Sequence, residues 1–75
     1  MTKWEFLFMN SMFMNGEWRP YSINGKRIPD AENGPNIYDV ANQLGGQGWE
    51  LLSTEYVMQP NQGNEYLLVY KRTKD

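Results

Sequence analysis

The sequence contains neither cysteine nor histidine. Without cysteine the chain forms no disulfide and no thiolate metal site, and this absence is typical of proteins of the reducing cytosol. Without histidine the chain lacks both the commonest metal ligand and the commonest general base of proteins. We therefore expect a cytoplasmic protein that is not an enzyme and that carries no metal and no cofactor.

Charged residues are also few, and the acidic ones slightly outnumber the basic ones. Seven basic and nine acidic side chains give a net charge of −2, which does not favour binding to nucleic acid. Every apolar run is too short to cross a bilayer, so we do not expect a membrane partner either. These absences leave small molecules and proteins, including further copies of the chain, as the expected partners.

The length of the chain limits its stability. Its 75 residues are enough for one domain, which we place at 1–75. A domain this small buries only about 60% of the surface of its unfolded chain. Small domains are usually stabilised further by disulfides, a metal or oligomerisation. Since the first is excluded and the second is not expected, oligomerisation is the remaining means.

An amphipathic helix is predicted in the middle of the chain. We place its first residue at Pro35, where a missing N–H costs nothing, with Asn33 or Gly34 as the cap. Gly45 and Gly46 follow the last apolar residue, at the place where a left-handed glycine commonly ends a helix. The apolar stripe consists of Ile37, Val40, Ala41 and Leu44.

Two asparagine–glycine pairs, Asn15-Gly16 and Asn24-Gly25, are strong signals for two-residue hairpin turns. Pro20 cannot donate a backbone hydrogen bond, so the strand that contains it is expected at an edge or irregular at that point. We predict strands at about 3–14, 17–23, 26–28, 49–58 and 65–73, the helix at about 35–45, and a last turn at 60–64. The predicted fold is α+β, a small antiparallel sheet of β-hairpins with the helix packed on one face. We expect the last strand beside the first, with the 49–58 strand on its far side.

Three of the predicted strands are apolar on both faces. In the last strand Tyr66, Leu68 and Tyr70 alternate with Leu67 and Val69. One helix of about three turns covers only one face of a sheet, so the other face needs a cover. We expect a second copy of the chain to supply it, which makes this face an oligomer interface. The alternative is a scatter of exposed apolar residues, which is common on protein surfaces.

Three short motifs occur in a fixed order along the chain. They are KWEF at 3–6, LGGQGWEL at 44–51 and YKR at 70–72. In these motifs the chain resembles a small family of uncharacterised domains, domain of unknown function 4177, over about 3–9 and 36–73. The resemblance implies a compact α+β fold, but it implies no reaction and brings no catalytic residues. The segment from about 12 to 33, with its two hairpin turns, is an insert relative to the family pattern.

The inserted hairpins hold the best candidates for ligand contacts, because aromatic and basic side chains interleave there. Arginine and lysine bind phosphate or carboxylate groups, and tryptophan and tyrosine stack on bases. The predicted ligand-binding residues are Trp18, Arg19, Tyr21, Lys26 and Arg27. The same residue types are frequent at subunit interfaces, so an interface contact or a solvated hairpin is the alternative interpretation.

Other polar residues are expected to be structural. We expect the strand glutamates to be solvated, with Glu50 as a cross-strand partner of Lys71 or Arg72. These glutamates are Glu5, Glu50, Glu55 and Glu65. The basic group at 71–74 is expected to protect a strand end from unwanted pairing, and it is the next ligand-binding candidate after the hairpins.

The sequence therefore favours a non-catalytic homo-oligomer that sequesters a small anionic, nucleotide-like ligand at a subunit interface. Some small virus-encoded proteins work in this way, and the comparison is one of analogy. The alternative is a protein-interaction module or inhibitor that docks through its aromatic surface.

Overall fold

The computed structural model describes residues 1–59 and 63–74, so the predicted turn at 60–64 lies partly outside the described residues. In chain order the elements are β1 (Lys3–Met14), β2 (Glu17–Ile23), β3 (Lys26–Arg27), a 3₁₀ turn (Ala31–Asn33), α1 (Ile37–Gly46), β4 (Glu50–Gln59) and β5 (Gly63–Lys74). The α+β prediction is confirmed, since the described residues form a five-stranded antiparallel sheet with one α-helix. The strand order is β3-β2-β1-β5-β4, so the last strand does lie beside the first. Within the described part of the chain, α1 is too short to span a membrane.

The two hairpin turns form at the predicted asparagine–glycine pairs. Asn15 and Gly16 have φ of 53° and 84°, and Asn24 and Gly25 have φ of 52° and 81°, the signs that a type I′ turn requires. The second turn also contacts β1, since the Asn24 side-chain oxygen accepts a hydrogen bond from the backbone N–H of Phe8 at 2.9 Å. The second hairpin turn is therefore tied to the central strand of the sheet.

The core lies between α1 and one face of the central strands. The helix contributes apolar side chains four residues apart, and each strand contributes apolar side chains at alternate positions. The buried cluster consists of Val40 and Leu44 from α1, Leu7 and Met9 from β1, and Leu68 and Tyr70 from β5. Trp49, directly after the helix, is half-buried against this cluster. We call this side of the sheet the helix face.

The start of the helix differs from the prediction. The helix begins at Ile37, two residues later than expected, and its cap is Asn36 rather than Asn33 or Gly34. The side-chain oxygen of Asn36 accepts a hydrogen bond from the backbone N–H of Asp39 at 2.9 Å. This bond satisfies one of the free N–H groups of the first turn, which a glycine cap cannot do.

The end of the helix also differs. Gly45 and Gly46 are helical, and the left-handed residue is Gly48, with φ of 89°. The N–H of Trp49 donates to the carbonyl of Leu44 at 3.0 Å, and the N–H of Gly48 donates to Gly45 at 3.1 Å. These two bonds define a Schellman motif, in which the glycine stands outside the last helical turn. A glycine does end the helix, but the left-handed residue is Gly48, two residues after Gly46.

The opposite side of the sheet, which we call the open face, has no α-helix over it within residues 1–59 and 63–74. On β1 it carries three aromatic side chains in alternate positions, and Phe6 is 48% exposed. Phe6 lies opposite Lys71 of β5, and Phe8 lies opposite Val69. The aromatic residues are Trp4, Phe6 and Phe8. The described part of the chain therefore leaves an apolar sheet face exposed.

The end of the helix provides a stability test. Gly48→Ala should lower the free energy of unfolding by about 1–2 kcal/mol, because a residue with a Cβ is strained at positive φ. Gly45→Ala is the matched control. Its added Cβ meets nothing within 4 Å, and alanine in a helix should raise the free energy by about 0.5–1 kcal/mol. Urea denaturation measures both, and the reverse ranking would mean that Gly45 ends the helix.

Candidate functional site

A cleft of about 430 Å³ lies on the open face, where β1, β2 and β5 meet the segment after β3. Its size is within the range of small-molecule pockets, about 300–1,000 Å³. The lining combines methionine, tyrosine and charged residues with residues of the loop after β3. The lining residues are Met12, Met14, Tyr21, Arg27, Ile28, Pro29, Asp30, Ala31, Glu32 and Glu65.

The most buried charged group of the cleft is Glu65, which is only 5% exposed. Its Oε2 accepts a hydrogen bond from the Asn10 side-chain nitrogen at 2.8 Å and another from the Tyr21 hydroxyl at 2.9 Å. A buried carboxylate is costly unless it is hydrogen-bonded, and these two donors hold it in place. The expectation that Glu65 is solvated is therefore wrong.

Tyr21 forms one wall of the cleft, and its surroundings keep it protonated. Burial raises the pKa of the Tyr21 hydroxyl above its ordinary value of 10.0, and the hydrogen bond to Glu65 and the charge of Glu65 raise it further. The charge of Arg27 acts in the opposite direction. At neutral pH the hydroxyl is therefore a donor to Glu65, and Tyr21 lines the cleft.

The charges of the cleft are separated in space. Arg27 is exposed, and its guanidinium carbon lies 6.0 Å from the centre of the Tyr21 ring. Among the lining residues it is the one cation, whereas Glu65, Asp30 and Glu32 are acidic. The cleft thus offers one position to an anionic group, beside Arg27, and an acidic environment elsewhere.

The five predicted binding residues do not converge. Tyr21 and Arg27 line the cleft together. Lys26 lies opposite Ile23, whose partner Met9 belongs to the helix face, so Lys26 and Arg27 are on opposite sides of the sheet. Trp18 and Arg19 have other contacts, described below.

Arg19 acts as a clamp between two segments of the backbone. Its side chain, 14% exposed, donates from Nε to the carbonyl of Met14 at 3.0 Å and from Nη1 to the carbonyl of Gly34. It also forms an ion pair with Glu17 at 3.0 Å. The first hairpin is thereby fastened to the loop that leads into α1, which gives Arg19 a structural role.

Trp18 belongs to an aromatic cluster on the helix face, beyond the helix. Its ring lies 4.7 Å from that of Tyr66, 5.7 Å from Phe13 and 6.5 Å from Tyr56, all edge-to-face. Edge-to-face contacts at such distances are favourable. Phe13 remains 60% exposed, so this cluster is a second apolar surface on the protein.

Arg72, from the second candidate group, lies where the three sequence motifs meet. Its guanidinium stacks on the ring of Trp49 at 4.3 Å and donates to the carbonyl of Gln47 at 3.1 Å. It also forms an ion pair with Glu5. Lys71, on the open face, lies 4.5 Å from the ring centre of Trp4.

Asn10 and Glu65 are the residues that the sequence interpretation missed as parts of a site. The sequence pattern indicates no role for Asn10, and it predicts a solvated Glu65. The signal for both lies in the register, which places Asn10 opposite Leu67 and Met12 opposite Glu65 on one face. Residues 1–59 and 63–74 contain no group of three or more acidic side chains placed to hold a metal.

Comparisons of the chain with models of protein families, with curated proteins and with solved structures gave no match.

The two arginines of the hairpins should differ sharply in their effect on stability. Arg19→Ala should lower the free energy of unfolding by about 2–3 kcal/mol, because it removes charge-assisted bonds to two carbonyl groups. Arg27→Ala should change it by no more than about 0.5 kcal/mol, as is usual for exposed side chains. Thermal and urea unfolding measure both. Equal changes in the free energy of unfolding would contradict the structural role of Arg19.

Proposed function

We propose that the protein is a non-catalytic, homo-oligomeric binding protein that holds a small anionic, nucleotide-like ligand in the cleft of the open face. The observation that carries this proposal is the placement of the Tyr21 ring and the Arg27 guanidinium at one cleft. An aromatic wall and a cation together provide stacking for a base and a charge-assisted contact for a phosphate.

The balance of charge in the cleft supports a ligand with a single phosphate. Arg27 offers one contact to an anion, while Asp30 and Glu32 line the same cleft with negative charge. Each further phosphate would lie near these carboxylates, and like charges at short distance repel. A monophosphate therefore fits the cleft better than a triphosphate.

The apolar part of the lining supports a flat ligand body. Met12 and Met14 contribute flexible thioether side chains that adapt to irregular shapes and pack well against rings. Together with the Tyr21 ring they form walls of low polarity. A planar heterocycle would displace water from these walls and pack against them, and the phosphate of the ligand would remain at the Arg27 end of the cleft.

The open face supports self-association. Phe8, Asn10 and Met12 follow one another on this face of β1, so the aromatic row leads directly to the edge of the cleft. An exposed aromatic patch of this kind is typical of protein interfaces. A second copy of the chain packed on these aromatic side chains would cover the apolar surface and would lie next to the ligand.

The insert also supports a role in binding. Tyr21, Arg27 and Asp30 all come from the segment at about 12–33, whereas Glu65 comes from the part that resembles the domain of unknown function 4177 family. We propose that the chain is a member of this family in which added hairpins build a binding cleft on the sheet.

Binding is tested by calorimetry with nucleoside monophosphates. Arg27→Gln should weaken binding by about 1.5–3 kcal/mol, because it removes a charge-assisted contact. Lys26→Gln is the matched control: it removes the same charge from the neighbouring residue, which lies on the other side of the sheet, and should leave binding unchanged. Equal losses in the two variants would indicate a diffuse electrostatic effect and would contradict a site at the cleft.

Self-association is tested by light scattering across the micromolar range. The wild-type protein should have a mass above that of the 8.8 kDa monomer, and Phe6→Asp should reduce it to the monomer, because a carboxylate is poorly tolerated in an apolar interface. Tyr38→Asp, which changes an exposed aromatic residue on the helix, is the control and should remain associated. A monomeric wild-type protein would contradict the oligomer.

The aromatic cluster favours the alternative function, a protein-interaction module or inhibitor. Phe13 and Tyr56 of this cluster are both exposed. They lie on the helix face, whereas the cleft lies on the open face. Aromatic side chains of this kind anchor protein partners. If no nucleotide binds, this surface is the next one to test.

A further inference from the structure

We infer that the edge of the sheet formed by β4 docks an extended segment of another protein, which joins the sheet as an additional strand and places basic side chains beside Glu55. This interaction goes beyond the proposed function, because none of residues 50–58 lines the cleft. The partner is recognised by the free backbone of β4 and by the charge beside it.

The two edges of the sheet differ in length and in protection. β3, at one edge, has only two residues, Lys26 and Arg27, and both are basic. Short, basic edge strands resist pairing with other chains. β4, at the other edge, has ten residues, and these include no lysine, arginine or proline. Among the described residues β4 pairs with β5 alone, so its outer edge offers backbone N–H and C=O groups to a further strand.

The regular part of this edge follows a bulge. The register with β5 shifts between Leu51 and Ser53, and from Ser53 to Gln59 it continues without interruption. Residues 53–58 are exposed except for Val57, which is half-buried. A strand of this length spans about 20 Å, which is usual for strands of globular proteins. A partner segment can therefore pair along the edge over an ordinary strand length.

The open face of β4 is acidic. It carries Glu50, opposite Lys71, and Glu55, opposite Leu67. The bulge puts both glutamates on this face, although their odd spacing would otherwise place them on opposite faces. A strand paired with β4 would thus meet carboxylates on this side of the sheet.

The helix face of β4 is apolar. Met58 is 75% exposed there, and Tyr56 lies opposite Tyr66. The Tyr56 ring is 5.0 Å from that of Tyr66 and 6.5 Å from that of Trp18, so the aromatic cluster extends to the edge of the sheet. Because side chains of a strand alternate between its faces, the fitting partner has apolar and basic residues in alternation.

Charge decides between a different protein and a second copy of this chain. Within residues 1–59 and 63–74 Glu55 has no ion pair, and its cross-strand neighbour is apolar. A second β4, pairing antiparallel as the strands of this sheet do, would bring two more glutamates and no cation to the same face. Like charges on paired strands are unfavourable, whereas a lysine or arginine beside Glu55 is favourable. The acidic edge therefore favours a basic segment of another protein.

The experiment measures the binding of synthetic peptides to the wild-type chain by fluorescence anisotropy. The probe is a labelled peptide of about nine residues in which lysine alternates with valine. One control peptide has the same composition with its lysines in a single block, and another has glutamate in place of lysine. The alternating lysine peptide should bind at least about tenfold more tightly than either control, because it alone matches both the alternation and the charge of β4.

A pair of variants tests the position of the peptide. Glu55→Lys should weaken its binding about five- to tenfold, because the variant replaces an attraction across the strands by a repulsion. Asp39→Lys is the matched control, since it makes the same change of charge at an exposed residue of the helix and should leave the affinity unchanged.

Methylation of the peptide backbone tests strand pairing directly. In an extended peptide alternate N–H groups point to opposite edges, and only one edge can pair with β4. Methylation of one alternate set of nitrogens should therefore abolish binding, whereas methylation of the other set should not.

Three results would overturn the inference. The first is an alternating peptide that binds no more tightly than the block peptide, and the second is full binding by both methylated peptides. The third is a change in the mass of the free protein in Glu55→Lys, measured by light scattering, because a second copy would then occupy the edge. The ranking of the peptides needs no variant, so it holds even if Glu55→Lys does not fold. A failure of nucleotides to bind would overturn the proposed function alone.

Discussion

The contacts of Arg72 attach the end of the helix to the sheet, beside the buried cluster that helix and sheet form together. The carbonyl of Gln47 lies just past the helix, where backbone acceptors lack partners and the helix dipole is negative. Arg72 supplies both a donor and a positive charge there, while its guanidinium covers Trp49 and pairs with Glu5. One side chain thus joins β5, β1 and the turn after α1. The motifs at 3–6, 44–51 and 70–72 contribute to this one cluster.

A second arginine performs a similar task at the start of the helix. Arg19 binds the carbonyl of Gly34 in the loop before α1, and its partner Glu17 also accepts a hydrogen bond from the Asn36 cap at 3.1 Å. The helix is therefore fixed at both ends by guanidinium groups of the sheet. Arginine is suited to such positions because its planar group donates several bonds in fixed directions. Arg27, in contrast, is exposed at the mouth of the cleft, which is why it is the candidate for binding an anion.

Local signals predicted the fold well, and tertiary contacts account for most of the differences. The asparagine–glycine turns and the apolar periodicity need only neighbouring residues, and the structure has turns and a helix where they were expected. The helix cap could not be chosen from local sequence, because Asn33, Gly34 and Asn36 are all acceptable cap residues. In the site, Tyr21 and Arg27 lie together, but the role of Arg19 depends on a carbonyl 15 residues away. The burial of Glu65 likewise depends on a tyrosine 44 residues away, and no local pattern reports such a contact.

The pairing of β1 with β5 in the middle of the sheet has a consequence for how the protein folds. Lys3 lies opposite Lys74 and Met12 opposite Glu65, so most of the chain separates the partners of each pair. Contacts between residues so far apart in sequence make folding slow, because a large loop must close before the strands stabilise each other. β1 can pair with β2 once both have been synthesised, but the other edge of β1 stays unpaired until β5 is available. Until β5 pairs with it, that edge can pair with another chain, so the incompletely folded protein is prone to aggregation along β1.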